Sequence, residues 1–124
     1  MLIKVIDGEF SVCKVRSLDG VDISKPFTFT CVTDEEISVV CKTENISFEV
    51  DFIEKEDGWR AFRIDEILDF SLVGILAKLS GILAKNNIGI FAVSTYNTDY
   101  ILVKRKDFER AISSLTNNGY TVER

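Results

Sequence analysis

With 124 residues and 46% hydrophobic side chains, the chain is long enough for one compact domain or two fused half-size units, and too apolar to be disordered. Its net charge of −5 argues against a phosphate-binding surface, which needs clustered Lys and Arg, so no nucleic-acid partner is expected. The charge is uneven: residues 1–62 carry net −6 and residues 63–124 net +1, which places a boundary near Trp59–Asp65.

No apolar run reaches the ~20 residues that cross a bilayer. The start, Met1-Leu2-Ile3-Lys4-Val5, meets a charge too early for a signal peptide. A cytoplasmic protein without membrane contact is the expectation. Cys13, Cys41 and Cys31 are odd in number, widely spaced and set in apolar stretches, so they read as reduced core thiols. With no histidine and no Cys-x-x-Cys pair, neither a metal nor another cofactor is expected.

In chain order, Leu2–Ile6 and Glu9–Val15 read as strands around Asp7-Gly8, a hairpin signal because glycine takes positive φ without strain. Phe27–Val32 and Ile37–Cys41 flank Thr33-Asp34-Glu35-Glu36, where Thr33 and Glu36 fit a capping box and leave a single helical turn open. Ile46, Phe48, Val50 and Phe52 alternate with Ser47, Glu49, Asp51 and Ile53, which is the period of a strand, and a short helix before it stays open. The next strand-like run starts at Trp59 and ends at Asp69-Phe70. Then Leu72, Ile75, Leu76, Leu79, Ile82 and Leu83 recur at steps of three and four, predicting a helix over 72–86 that Ser71 can cap and Asn86-Asn87 ends. Ile88–Thr95 reads as a buried strand, Tyr96-Asn97-Thr98 as a tight turn and Tyr100–Lys104 as the returning strand. A second helix is predicted over 107–117, with Phe108, Ala111, Ile112 and Leu115 on one face, before a short strand at Tyr120–Val122.

The order strand, helix, strand, strand, helix, strand is the split βαβ arrangement, so residues 59–124 are expected to form an α+β, ferredoxin-like βαββαβ unit. Residues 1–58 are mostly strand. If they repeat the second half, they are an abbreviated copy of it.

Catalytic chemistry has little to work with. General acid–base catalysis usually recruits histidine, and there is none. Ser71 lies two helical turns from Lys78, not three residues, and Gly74 and Gly81 are too isolated to cradle a phosphate. An enzyme is not expected. Two segments invite a binding role instead. At the junction Asp69-Phe70-Ser71-Leu72-Val73-Gly74 a strand stops and a helix starts, and the first helical N–H groups carry partial positive charge. Either a ligand carboxylate sits there, or Ser71 only caps and Gly74 only packs. Between two apolar strands, Ser94-Thr95-Tyr96-Asn97-Thr98-Asp99-Tyr100 is dense in polar groups. Either Asp99 and the Thr hydroxyls face a ligand cation, or the segment is a plain hairpin turn.

Phe70-Ser71-Leu72-Val73-Gly74-Ile75-Leu76, followed by the run Ile88 to Val103 with Ser94-Thr95-Tyr96-Asn97-Thr98-Asp99-Tyr100 at its centre, resembles the tandem ACT-domain family. That family includes small bacterial proteins related to the regulatory domains of aspartate kinase and to the cytosolic arginine sensors of animals. Val5–Cys13, Ile37–Cys41 and Gly58–Phe62 are also similar to it, so the resemblance covers most of the chain. It implies two fused ACT-like units, residues 1–58 and 59–124, and side-by-side pairing into a homodimer. It also implies a regulated protein partner and an amino-acid effector. The turn Asp69, Phe70, Ser71, Leu72, Val73, Gly74, Ile75 would then hold the effector's carboxylate and amine. Thr95, Tyr96, Asn97, Thr98 and Asp99 would contribute the remaining contacts. The rival readings are a protein-interaction module of the same fold, an acylphosphatase-like hydrolase, which would need a basic loop, and an RNA-binding module, which would need basic neighbours around its aromatics.

Overall fold

A computed structural model describes residues 1–66 and 73–124. In chain order it holds β1 (Leu2–Val15), β2 (Phe29–Val32), β3 (Ile37–Lys42), β4 (Phe52–Ile64), α1 (Ile75–Lys85), β5 (Ile90–Ser94), β6 (Asp99–Lys104), α2 (Phe108–Asn117) and β7 (Thr121–Glu123). The chain divides into two compact units, Met1–Asp7 with Arg60–Arg124, and Gly8–Trp59.

In the first of these units the segment from β4 to β7 follows the predicted strand-helix-strand-strand-helix-strand order. Its strands are arranged β7-β1-β4-β6-β5, so the start of β1 lies between β7 and β4. Leu2, Ile3 and Lys4 pair in parallel with Thr121, Val122 and Glu123, and the Asp65 N–H donates to Leu2 O at 2.9 Å. β5 and β6 form the antiparallel edge, with Ile90 opposite Val103 and Ser94 opposite Asp99. Leu79 and Leu83 of α1 and Phe108, Ala111, Ile112 and Leu115 of α2 pack with Ile3, Phe62, Ile64, Ile101 and Val103 into one core. Burying each large member stabilises the fold by roughly 1.5–3 kcal/mol.

Helix α1 is amphipathic as its spacing requires, and it starts from Gly74, whose φ of +81° few other residues tolerate. The predicted Ser71 cap lies outside the described residues. At the far end Asn87 takes φ +57° and the Ile88 N–H returns to Leu83 O at 3.0 Å, closing the helix as Asn-Asn predicts. Asn118-Gly119 does the same for α2, with the Tyr120 N–H on Leu115 O.

The other unit is a sheet ordered β2-β3-β1-β4. Ser11 pairs with Cys41 and Cys13 with Val39, while Phe29 to Val32 pair with Val40 to Ile37. Thr33 turns the β2–β3 hairpin. Its hydroxyl accepts the N–H groups of Glu35 and Glu36, as a cap would, but the chain bends back instead of winding into a helical turn. Three expectations are corrected here. Asp7-Gly8 is not a hairpin: β1 runs through it, with Gly8 at φ +93° inside the strand. The alternating run from Ile46 does not become strand until Phe52, because Ser47 closes a local turn by accepting the Glu49 N–H at 3.1 Å. Ile46 and Val50 nevertheless pack on Cys13, Val15, Val39 and Cys41. Finally, Cys31 is exposed on β2, whereas Cys13 and Cys41 are buried as expected.

Candidate functional site

Side chains along β6 alternate between the two faces of the sheet. Ile101 and Val103 pack with the helices, so Asp99, in step with them, faces the helix-bearing side. Ser94 lies opposite on β5, and its Oγ donates to Asp99 Oδ1 at 2.5 Å. The carboxylate is half-buried and oriented, a suitable receiver for a cationic group.

The turn before Asp99 is tied inward. The Thr95 N–H and Oγ1 both donate to Thr98 O, at 2.8 and 2.9 Å. Thr98 is buried, and its Oγ1 donates to Ile64 O at 2.8 Å, which anchors the start of β6 to the end of β4. Tyr96 projects outward and is 81% exposed. Of the predicted carboxylate-binding turn, Asp69, Phe70, Ser71 and Leu72 lie outside the described residues. Val73 and Gly74 are exposed at the start of α1, and Ile75 is half-buried against the core.

The structure therefore separates two groups. Asp99 and Ser94 share the helix-bearing face. Thr95, Asn97 and Thr98 instead line a cleft of about 350 Å³ with Arg63, Ile64, Asp65, Glu66 and Tyr100. Arg63 Nε donates to Asp65 Oδ1 at 3.1 Å, and Nη1 donates to the Tyr100 hydroxyl at 3.1 Å. Those bonds, that to Tyr100 foremost, raise the Arg63 pKa further and keep the guanidinium charged. The sequence reading put none of Arg63, Asp65, Glu66 and Tyr100 among the site residues. The signal was there: Arg63-x-Asp65 on a strand puts both charges on one face, in step with the period of two.

Elsewhere the chemistry is structural. Ser11 is fully buried, within 2.7 Å of Thr43 Oγ1, and donates to the Asp57 carboxylate, which this bond holds below the usual carboxylate range. A serine with no exposed surface, its hydroxyl tied to Thr43 and Asp57, has no open path to a substrate. Burial pushes the Cys13 thiol up to about 11 and raises Cys41 as well, so neither ionises near neutrality. Among the described residues no three Cys, Asp or Glu side chains gather into a metal site, and no helix is long and apolar enough to cross a membrane.

No functionally curated protein matches the sequence. Among solved structures, a protein from Agrobacterium tumefaciens superposes with a TM-score of 0.83 at 27% identity, over 98% of this chain and 91% of that one. Aspartate kinase from Clostridium acetobutylicum, described as an allosteric enzyme, gives 0.66 at 16% identity, over 93% of this chain and 33% of the kinase. The regulatory subunit of aspartate kinase from Thermus thermophilus, in its ligand-free form, gives 0.58 at 10% identity, over 88% of this chain and 90% of that one. Residues 54–117 match the ACT domain, a regulatory and non-catalytic module, and these span most of β4, both helices and the β5–β6 edge. Carrying that match over half its length, the chain belongs to the ACT domain family.

Proposed function

We propose that this protein is a non-catalytic, cytoplasmic sensor that binds an amino acid and passes the signal on through the packing of ACT units. The observation that carries the reading is the oriented carboxylate of Asp99, held by Ser94 on the helix-bearing face of an ACT domain. In this reading the turn Asp69–Ile75 receives the effector's α-carboxylate at the start of α1, and Asp99 receives its positive end. The turn Thr95–Thr98, anchored by the Thr98 bond to Ile64 O, sets the position of Asp99. Kinship with aspartate kinase regulatory subunits supports a regulatory role and assembly. The β5 edge, with no charged residue from Ile90 to Ser94, suits pairing with a second copy. Residues 1–58 and 59–124 are then two ACT-like halves, the first abbreviated.

Calorimetric titration of the full chain with each of the twenty amino acids tests this. Saturable binding of one or a few is the expected result. Silence throughout would favour a protein-interaction module, whose exposed strand edges dock a partner without any effector.

A further inference from the structure

The cleft at the end of β4 is not on the Asp99 side of the sheet, and its lining carries both signs of charge. Arg63, Asp65 and Tyr100 belong to the face opposite the helices: Arg63 and Asp65 alternate with Phe62 and Ile64, and Tyr100 alternates with Asp99 and Ile101, which pack or point toward the helices. Three features suit it to a small charged ligand. Its volume, about 350 Å³, is enough for a free amino acid but small for a nucleotide. The Arg63 guanidinium is fixed by Asp65 and Tyr100, with a side chain only 26% exposed, so little rotamer freedom is left to lose on binding. Those two bonds use two of its five N–H donors, and a planar guanidinium recognises a carboxylate through paired donors. Opposite charge is supplied by Asp65 and Glu66, and the Asn97 amide completes the rim. The wall itself is rigid, because Thr98 Oγ1 is bonded to Ile64 O.

We infer that this cleft is a second binding site, which takes the zwitterionic head of an α-amino acid, its carboxylate on Arg63 and its ammonium between Asp65 and Glu66. The inference rests on the amino-acid reading above and adds a site on the opposite face of the same sheet. Binding there pulls on the ends of β4 and β6, the two strands that Thr98 ties together. The cleft and Asp99 are thus coupled through the backbone of a single residue step, Thr98–Asp99.

Nitrogen-15 NMR of the full chain, titrated separately with each of the twenty amino acids, tests the site. The expected result is a saturable shift of the Arg63 Nε–H signal together with the amides of Thr98 and Tyr100. Arg63→Gln should weaken that binding at least tenfold, and the decarboxylated amine of the same amino acid should not bind. Lys106→Gln, which removes an exposed positive charge at the other end of β6, should leave it unchanged. Should Arg63→Gln fail to fold, Tyr100→Phe, which removes one of the two bonds that fix the guanidinium, should weaken binding severalfold. Shifts confined to Gly74, Ser94 and Asp99 would overturn the second site and leave the sensor reading standing. Unchanged affinity in Arg63→Gln would also overturn it. No shift with any amino acid would remove both.

Discussion

Ser94 and Asp99 face each other across the β5–β6 pair, and the Ser94 hydroxyl donates to the Asp99 carboxylate at 2.5 Å. The bond sets the direction of the carboxylate without neutralising its charge. Asp99→Asn keeps the shape and removes the charge. If Asp99 receives an effector cation, affinity should fall about tenfold or more, the equivalent of a charge-assisted bond worth roughly 1.5–3 kcal/mol. If the carboxylate serves only the turn, the thermal midpoint should drop and affinity stay put. Calorimetry and a melting curve on the same variant separate the two.

Thr98 makes a different kind of contact. Its buried hydroxyl bonds a backbone carbonyl on the neighbouring strand, Ile64 O. Thr98→Val keeps the volume and removes that bond, which should cost about 0.5–1.5 kcal/mol in denaturant unfolding. Thr98→Ser should recover most of the loss.

Two glycines of the α1 region should respond in opposite directions. Gly81 lies within the helix, and a Cβ there would meet nothing within 4 Å. Gly81→Ala should stabilise by about 0.5–1 kcal/mol. Gly74 also has open space, but its φ is +81°. Gly74→Ala should destabilise by roughly 1 kcal/mol, through backbone strain alone. Chemical denaturation of the pair would show whether conformation or space governs the helix start.

Ile3 has no exposed surface and packs in the core of the unit that holds both helices. Ile3→Ala should therefore cost about 2–5 kcal/mol, as a buried core truncation does. Loss of near-ultraviolet signal from Tyr120, in the same core, would report it. A shift below 1 kcal/mol, within the range of a surface change, would mean that β1 contributes little there.

The thiols define a pH window. Cys13 is raised from 9.0 to about 11 by burial, and Cys41 is raised for the same reason. The unfolded chain thus releases these protons first as pH rises. Stability should be full below pH 9.0 and fall as pH climbs toward about 11. Tyr120, also raised by burial, acts in the same sense, so Cys13→Ala should flatten part of the fall and not all of it. A thiol-specific reagent at neutral pH should modify Cys31 alone until the protein is unfolded.

Local pattern was enough for the second half of the chain. Both helices, their Asn and Asn-Gly stops, the Tyr96–Thr98 turn and the β5–β6 hairpin follow from spacing and turn chemistry, which act between near neighbours. The same local logic failed at Asp7-Gly8, where a glycine suited to a turn takes positive φ inside a continuous strand, and at Ile46–Val50, where a serine turn outcompeted an alternating pattern. Tertiary structure alone decided the rest. That β1 starts between β7 and β4 depends on pairing across more than a hundred residues, for which no short window carries a signal. Which polar side chains share a face was decided the same way: strand pairing turned Asp99 toward the helices, and the Thr98 bond to Ile64 brought Thr95, Asn97 and Thr98 beside Arg63. Composition named the polar residues, but only the register of β4 against β6 determined which of them meet.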